Sequence, residues 1–396
     1  MSGPTPRRLW KYATQCLGLA AYFQAPGDGR QAPQIPAHAL VWGLVIGHIL
    51  REDTYAGVKA LVRSVARPGL GISRRFGDDA LAYFTERLDP APTRAAVATL
   101  LRRAKRNKTF AARPWIGLAV DGTMTTCCQA AVCRLCRPLR RDGAILGYRH
   151  HVVMASVVGT TLSVPCDVEP YGPGDSEYAA GQRVVRRAVK ALGARFADYV
   201  VADGEFATAP FLHAMGELGL RVVARLTANL PELLTAAQRR YALGPPTETF
   251  VEGRDQVEVW DAADFDPWGT LRWATVRVLY YRQTKATGEH VEALWLSDWP
   301  MAEVDSRTLY RMAKSRWELE NHGFNEAKTR HGMEHICHHD ANSLLVGWLL
   351  LVLALAIERL YRLRYAHRGR HPVRAAIELV RQLRINLARV LTPDTS

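Results

Sequence analysis

The chain has 396 residues, with 52 Lys and Arg against 38 Asp and Glu, a formal charge of +14 with His neutral. At roughly 150 residues per domain this allows two or three domains, each able to bury a full core, which excludes a disulfide-framework miniprotein. A hydrophobic share of 48% with 23% charged residues excludes wholesale disorder. The positive excess points to a polyanionic partner, nucleic acid first and an anionic membrane surface second. Seven Cys is an odd count for a secreted disulfide framework. Residues 1–30 show no apolar leader segment. The longest apolar run, Leu344 to Ile357, falls short of the roughly 18 residues of a membrane span and reads as a core helix. A cytoplasmic protein with reduced thiols, and no membrane partner, is expected.

In chain order, residues 1–112 read as a helical module. Leu40, Val41, Leu44, Val45, Ile49 and Leu50 are spaced for a helix over 36–52. Asp53 or Thr54 caps a second helix ending near Pro68-Gly69, and helices over 78–88 and 92–106 follow, split at Asp89-Pro90. Residues 113–226 change character. Short apolar strands are predicted at 116–120, 151–158, 160–164, 199–202 and 221–226, the second and third forming a hairpin at Gly159. Helices over 177–192 and 208–218 fall between them, so the order is that of a mixed α/β core. Residues 227–300 read as a β-rich insertion, with strands at 250–260, 271–282 and 291–296, expected beside the central sheet and not within it. From 301 to 360 the chain is helical again. Residues 361–396 form a basic tail, helical over 372–390.

Two apolar strands end in Asp-Gly: Gly-Leu-Ala-Val-Asp121-Gly and Tyr-Val-Val-Ala-Asp203-Gly. Open sheets place their sites at the carboxyl ends of strands, so neighbouring strands would bring both carboxylates to one mouth. Close carboxylates repel unless a cation lies between them, and hard oxygen donors suit Mg²⁺ or Mn²⁺. Taken singly, Asp-Gly is also a common strand-ending turn. A third carboxylate is available in the segment Arg316 to Lys328. On a helix, Arg316 and Glu320 share a face at i, i+4, and Lys328 lies about two turns further on. The same pattern also describes a solvated helix with ordinary ion pairs.

These residues together resemble the Asp-Asp-Glu transposases of bacterial insertion sequences, most nearly the insertion sequence 4 family. The resemblance spans about 115–360. It implies an RNase H-like α/β core with a mixed sheet and a β-rich insertion before the Glu; the N-terminal module, read as all-α and expected to bind DNA, resembles the family only in being helical. It implies Asp121, Asp203 and Glu320 as catalytic residues and ligands of two Mg²⁺ or Mn²⁺ ions. The signature around the Glu is Tyr, two residues, Arg, three residues, Glu, six residues, Lys. Arg316 and Glu320 fit it. Ala313 stands at the Tyr position, with Tyr310 one turn earlier, and Lys328 follows Glu320 after seven residues instead of six. Glu318 and Glu326 compete with Glu320, which the Arg spacing favours.

The implied chemistry is cut-and-paste transposition. An activated water hydrolyses a phosphodiester at the element's end, and the freed 3′-OH attacks target DNA. The implied partners are double-stranded DNA, at terminal inverted repeats and at the target, and a second copy of the chain, in a prokaryotic, nucleoid-associated setting. Arg316 and Lys328 are expected on phosphates and Trp317 on an unpaired base, although a Trp there also suits a core. The basic cluster Arg102, Arg103, Lys105, Arg106 is a further DNA-facing candidate. Helices within 36–68 are a candidate helix-turn-helix. A metal-dependent nuclease on the same core and an inactive DNA-binding descendant are the alternatives. Cys127, Cys128, Cys133 and Cys136 are cramped for a zinc site, with only the distant Cys337-His338-His339 as complement, so free thiols are expected.

Overall fold

The computed structural model describes residues 4–111, 113–125, 128–366 and 375–389. Among the described residues, eleven strands carry the architecture. They are β1 (Gly117–Met124), β2 (Arg137–Arg141), β3 (Ala144–Arg149), β4 (His151–Val158), β5 (Val164–Tyr171), β6 (Tyr199–Ala202), β7 (Arg221–Leu226), β8 (Glu248–Glu252), β9 (Asp255–Phe265), β10 (Val276–Thr284) and β11 (His290–Ser297). Nine of them form one sheet in the order β5-β4-β1-β6-β7-β11-β10-β9-β8, and β2 pairs with β3 separately. β4 runs antiparallel to both β1 and β5, whereas β6 is parallel to β1 and β7. The central strands are continuous apolar runs because both faces are covered: Leu118, Ala119, Val120 and all of β6 are buried.

The fold is mixed α/β, and most expected elements are present within a few residues. Several helices begin where the sequence supplies caps. Thr54 accepts from the Gly57 amide, Asp89 from Ala91, Ser176 from Ala179 and Asp305 from Thr308. The helix expected over 177–192 is Glu177–Leu192.

The strands expected beside the sheet are instead part of it. β11 pairs antiparallel with β7, and β10, β9 and β8 follow outward. The physical reason is that β7 would otherwise leave a row of unpaired backbone groups at the open edge of the parallel half. The pair Arg277–Asp261, fully buried across β10 and β9, fixes this extension, and Arg277 also donates to the Val304 carbonyl at 2.8 Å. The region also contains a helix, Pro231–Ala242, that the sequence pattern does not announce, and β8–β9 is a hairpin where the pattern predicts one strand. The strand read at 160–164 begins at Val164, because Gly159 to Ser163 form the turn.

The apolar run lies in a helix, Ala341–Tyr361, started by Asp340 accepting from the Asn342 and Ser343 amides. It is long and apolar enough to cross a membrane by length and composition, but its apolar window is 89% buried inside the fold. It packs between β5 and the helices Ala37–Leu50, Asp78–Arg87 and Pro90–Arg106. Burial of each Leu there contributes about 1.5–3 kcal/mol, so this helix joins the N-terminal helices to the sheet. In the basic tail a helix spans Ala376–Arg389; Pro372 and Val390, the ends expected for it, lie outside the described residues.

Candidate active site

Register places the two Asp residues side by side. Val120 of β1 and Ala202 of β6 are partners in the parallel pair, and Asp121 and Asp203 are the next residue of each chain. Asp121 continues β1, whereas Asp203 lies just before the short turn Gly204–Phe206. Adjacent side chains of β1 point to opposite faces. Asp121 faces the segment that carries Arg316 and Glu320. Gly122 faces helix Glu177–Leu192, where a Cβ would sit 2.2 Å from Cδ of Glu177. The Gly of the first Asp-Gly is therefore demanded by close approach of a third carboxylate. At the second, a Cβ on Gly204 would lie 2.5 Å from Oγ1 of Thr227.

Arg316 is buried and bridges two of the carboxylates. Its Nη1 donates to Oδ2 of Asp121 at 2.8 Å, and its Nη2 lies 3.5 Å from Oε2 of Glu320. Glu320 sits in a π-helical stretch, Leu319–Phe324, between the short helical turn Arg316–Glu318 and helix Asn325–His331. Its rivals turn elsewhere. Glu318 accepts from the Gly159 amide at 3.1 Å, and Glu326 pairs with the buried Arg359 at 2.7 Å.

Burial pushes the Asp121 carboxyl up to about 7 against the pull of Arg316, and the neighbouring Asp203 and Glu177 carboxylates push the same way. Glu177 is raised too, first by burial, and Tyr171 donates to it at 2.8 Å. On the Glu177 side lies an open cavity of about 380 Å³ whose walls include Gly122, Arg137, His151, Tyr171, Glu177 and Glu205, but not Asp121, Asp203 or Glu320. One guanidinium thus faces a group of carboxylates. Hard oxygen donors with surplus negative charge fit a divalent cation by donor type. In this structure the carboxylates do not close on one point. Among the described residues, only Cys133, Cys136 and His150 place three possible metal donors within 4.8 Å of one another.

Glu177 was not singled out in the sequence. Its signal was an acidic residue directly after a Ser N-cap, at the first position of a helix. The expected DNA-facing residues divide. The Arg316 charge faces carboxylates. Lys328 Nζ donates to the Met124 carbonyl at 2.9 Å and pairs with Glu334, so it reaches the end of β1. Trp317 is half-buried, its ring edge-on to Trp295 of β11 with Lys314 and Arg316 over it. Lys105 donates to the Arg195 and Phe196 carbonyls, each at 2.7 Å, and ties its helix to the loop before β6. Arg102 and Arg106 are exposed and Arg103 is half-buried. Cys127 lies outside the described residues.

No protein-family model matches the chain, and no curated protein matches it. Among solved structures, it is similar to piggyBac transposase in a cryo-EM synaptic complex with hairpin DNA. That match has a TM-score of 0.46 and 12% sequence identity, and it covers 99% of this chain and 83% of that one.

Proposed function

We propose that the protein is an Asp-Asp-Glu transposase of the insertion sequence 4 type, cutting and joining DNA at the ends of a mobile element. The observation that carries this is the register of β1 and β6. It sets Asp121 and Asp203 side by side at strand ends, with Glu320 held to the same place through Arg316. The β5-β4-β1-β6-β7 half of the sheet, antiparallel on one side of β1 and parallel on the other, supports an RNase H-like reading of the core.

Asp121, Asp203 and Glu320 would hold two Mg²⁺ or Mn²⁺ ions, with Glu177 beside Asp121. Bound there, the ions would supply water activation and stabilise the leaving 3′ oxygen. Arg316 balances the carboxylates and keeps Glu320 facing Asp121. Lys328 and the exposed Arg102 and Arg106 offer cations to phosphates. The +14 charge of the chain favours DNA as partner, with a second copy completing the complex on two ends.

The test is incubation of the protein with a DNA carrying both ends of its own element and a target plasmid. The expected result is Mg²⁺-dependent nicking at the ends followed by strand joining. Cleavage without joining would make it a nuclease, and binding with neither would make it an inactive DNA-binding descendant.

A further inference from the structure

The thiols of Cys133 and Cys136 and the imidazole of His150 meet outside the carboxylate group. Cys133 Sγ and Cys136 Sγ are 3.7 Å apart, and His150 Nε2 lies 3.2 Å from the first and 3.4 Å from the second. A tetrahedral zinc with Zn–S near 2.3 Å and Zn–N near 2.0–2.1 Å requires S–S edges of about 3.8 Å and S–N edges of about 3.6 Å. The observed triangle has that size. It is far too wide for a disulfide, whose S–S bond is about 2.05 Å. Cys136 and His150 are buried and Cys133 is half-buried. The two thiols face Nε2, and among the described residues the buried Nδ1 has no hydrogen-bond partner.

We infer that Cys133, Cys136 and His150 bind a structural Zn²⁺. The imidazole of His339 is nearby, its ring centroid 6.1 Å from that of His150, but it is not among the three mutually close donors, so a fourth ligand is left to solvent or a shift of that ring. The site is assembled by the β2–β3 hairpin. Cys133 and Cys136 precede β2, and His150 follows β3 directly, so one ion would clamp both feet of the hairpin. His150 is also fastened to the end of β1, since the Thr125 amide donates to its carbonyl at 3.0 Å. Above the clamp the hairpin exposes Arg140, Arg141, Ile145 and Leu146, and at its foot Arg137 lines the cavity beside Glu177. The ion would therefore fix a basic, partly apolar hairpin against the rim of the carboxylate site. That consequence rests on the proposed function; the zinc site itself does not.

The experiment is zinc analysis of the full chain purified under reductant without added metal, followed by exchange of the ion for Co²⁺. Stoichiometric zinc is expected, together with thiolate-to-cobalt charge-transfer absorption and the d–d bands of a tetrahedral centre. Cys133→Ser, Cys136→Ser and His150→Ala should each lose most of the zinc, whereas Cys166→Ser should keep it. Zinc-free protein whose reduced thiols give no charge-transfer band with Co²⁺ would overturn the inference. So would a Cys133–Cys136 disulfide in the purified chain. Because the wild-type spectrum decides the matter, a variant that fails to fold leaves the test intact. DNA cleavage is not read, so failure here is separate from failure of the transposase reading.

Discussion

Asp121 is the residue on which the site turns. It is held between one cation, Arg316, and two anions, Asp203 and Glu177. Glu177 packs against the backbone next to it because Gly122 has no side chain in the way. Neutralising Glu177 should act in opposite directions with and without metal. Glu177→Gln keeps an acceptor for the Tyr171 hydroxyl and removes one repulsion, so metal-free protein above pH 8 should gain on the order of 1 kcal/mol. The stabilisation conferred by Mg²⁺ should shrink, because an oxygen donor has lost its charge. Thermal melts with and without Mg²⁺ give both quantities. An Mg²⁺ shift equal to that of wild type would place Glu177 outside the cation site.

At the scale of elements, the Glu-bearing segment departs from a regular helix, and the departure accounts for an oddity of spacing. Seven residues separate Glu320 from Lys328, where the signature of the insertion sequence 4 transposases has six. The π-helical stretch Leu319–Phe324 absorbs one additional residue, since an i→i+5 turn lengthens the chain without rotating the helix that follows. Lys328 therefore still reaches the end of β1, at the Met124 carbonyl. The segment is held to β1 chiefly by Arg316. Arg316→Ala should cost about 1–3 kcal/mol in denaturant unfolding, less than a permanently charged buried pair would, because Asp121 can take up a proton instead. Its effect on DNA affinity should be small and its effect on cleavage large. A large, salt-sensitive loss of affinity with normal stability would instead put the guanidinium on phosphate.

Elements also show what sequence can and cannot reveal. Core strands and capped helices were legible because burial on both faces and N-cap residues leave local marks. Strand neighbours were not, since nothing in the Val222–Leu226 run states that β11 will cover its edge. The β2–β3 hairpin was missed because its strands, Arg137–Arg141 and Ala144–Arg149, are mostly exposed and polar. Yet Asp142-Gly143, both with positive φ, is a strong two-residue hairpin turn. Reading that turn would have carried Cys136 back to His150. Asp121, Asp203 and Glu320 could be named as candidates because strand-ending Asp-Gly and the Arg spacing are sequence patterns. Glu177 was not, since its approach depends on packing across the sheet.

Over the whole molecule, two buried regions couple stability to pH with opposite sign. His48 and His331 sit ring to carbonyl, each Nδ1 facing the other's backbone oxygen at 3.3 and 3.0 Å. Burial lowers His48 to about 4 and His331 well below its ordinary value. The unfolded chain protonates near 6.5 while the folded one does not, so these residues withdraw stability as pH falls from about 6.5 towards 4. Glu318 is raised by burial to about 7. Its contribution is fully present below the ordinary Glu value and is lost as pH rises through 7. Acidification from pH 7.5 to 5.5 should therefore stabilise His48→Asn more than wild type, and Glu318→Gln less, each difference on the order of 1 kcal/mol. Chemical denaturation of metal-free protein at the two pH values checks both signs. Identical pH responses in all three proteins would contradict the burial argument.

The central claim is that Asp121, Asp203 and Glu320 act together on DNA through bound cations while other residues carry the affinity. The direct measurement is end-specific cleavage and gel-shift affinity on the same preparations of Asp121→Asn, Asp203→Asn and Glu320→Gln. Each change keeps side-chain size and removes one anionic donor, so Mg²⁺-dependent cleavage should disappear in all three. DNA affinity rests on Lys and Arg and should be unchanged or slightly tighter, since each variant carries one fewer negative charge near the backbone. Retained cleavage in any one of the three would remove that residue from the site, and a parallel loss of affinity and cleavage would contradict the division of labour.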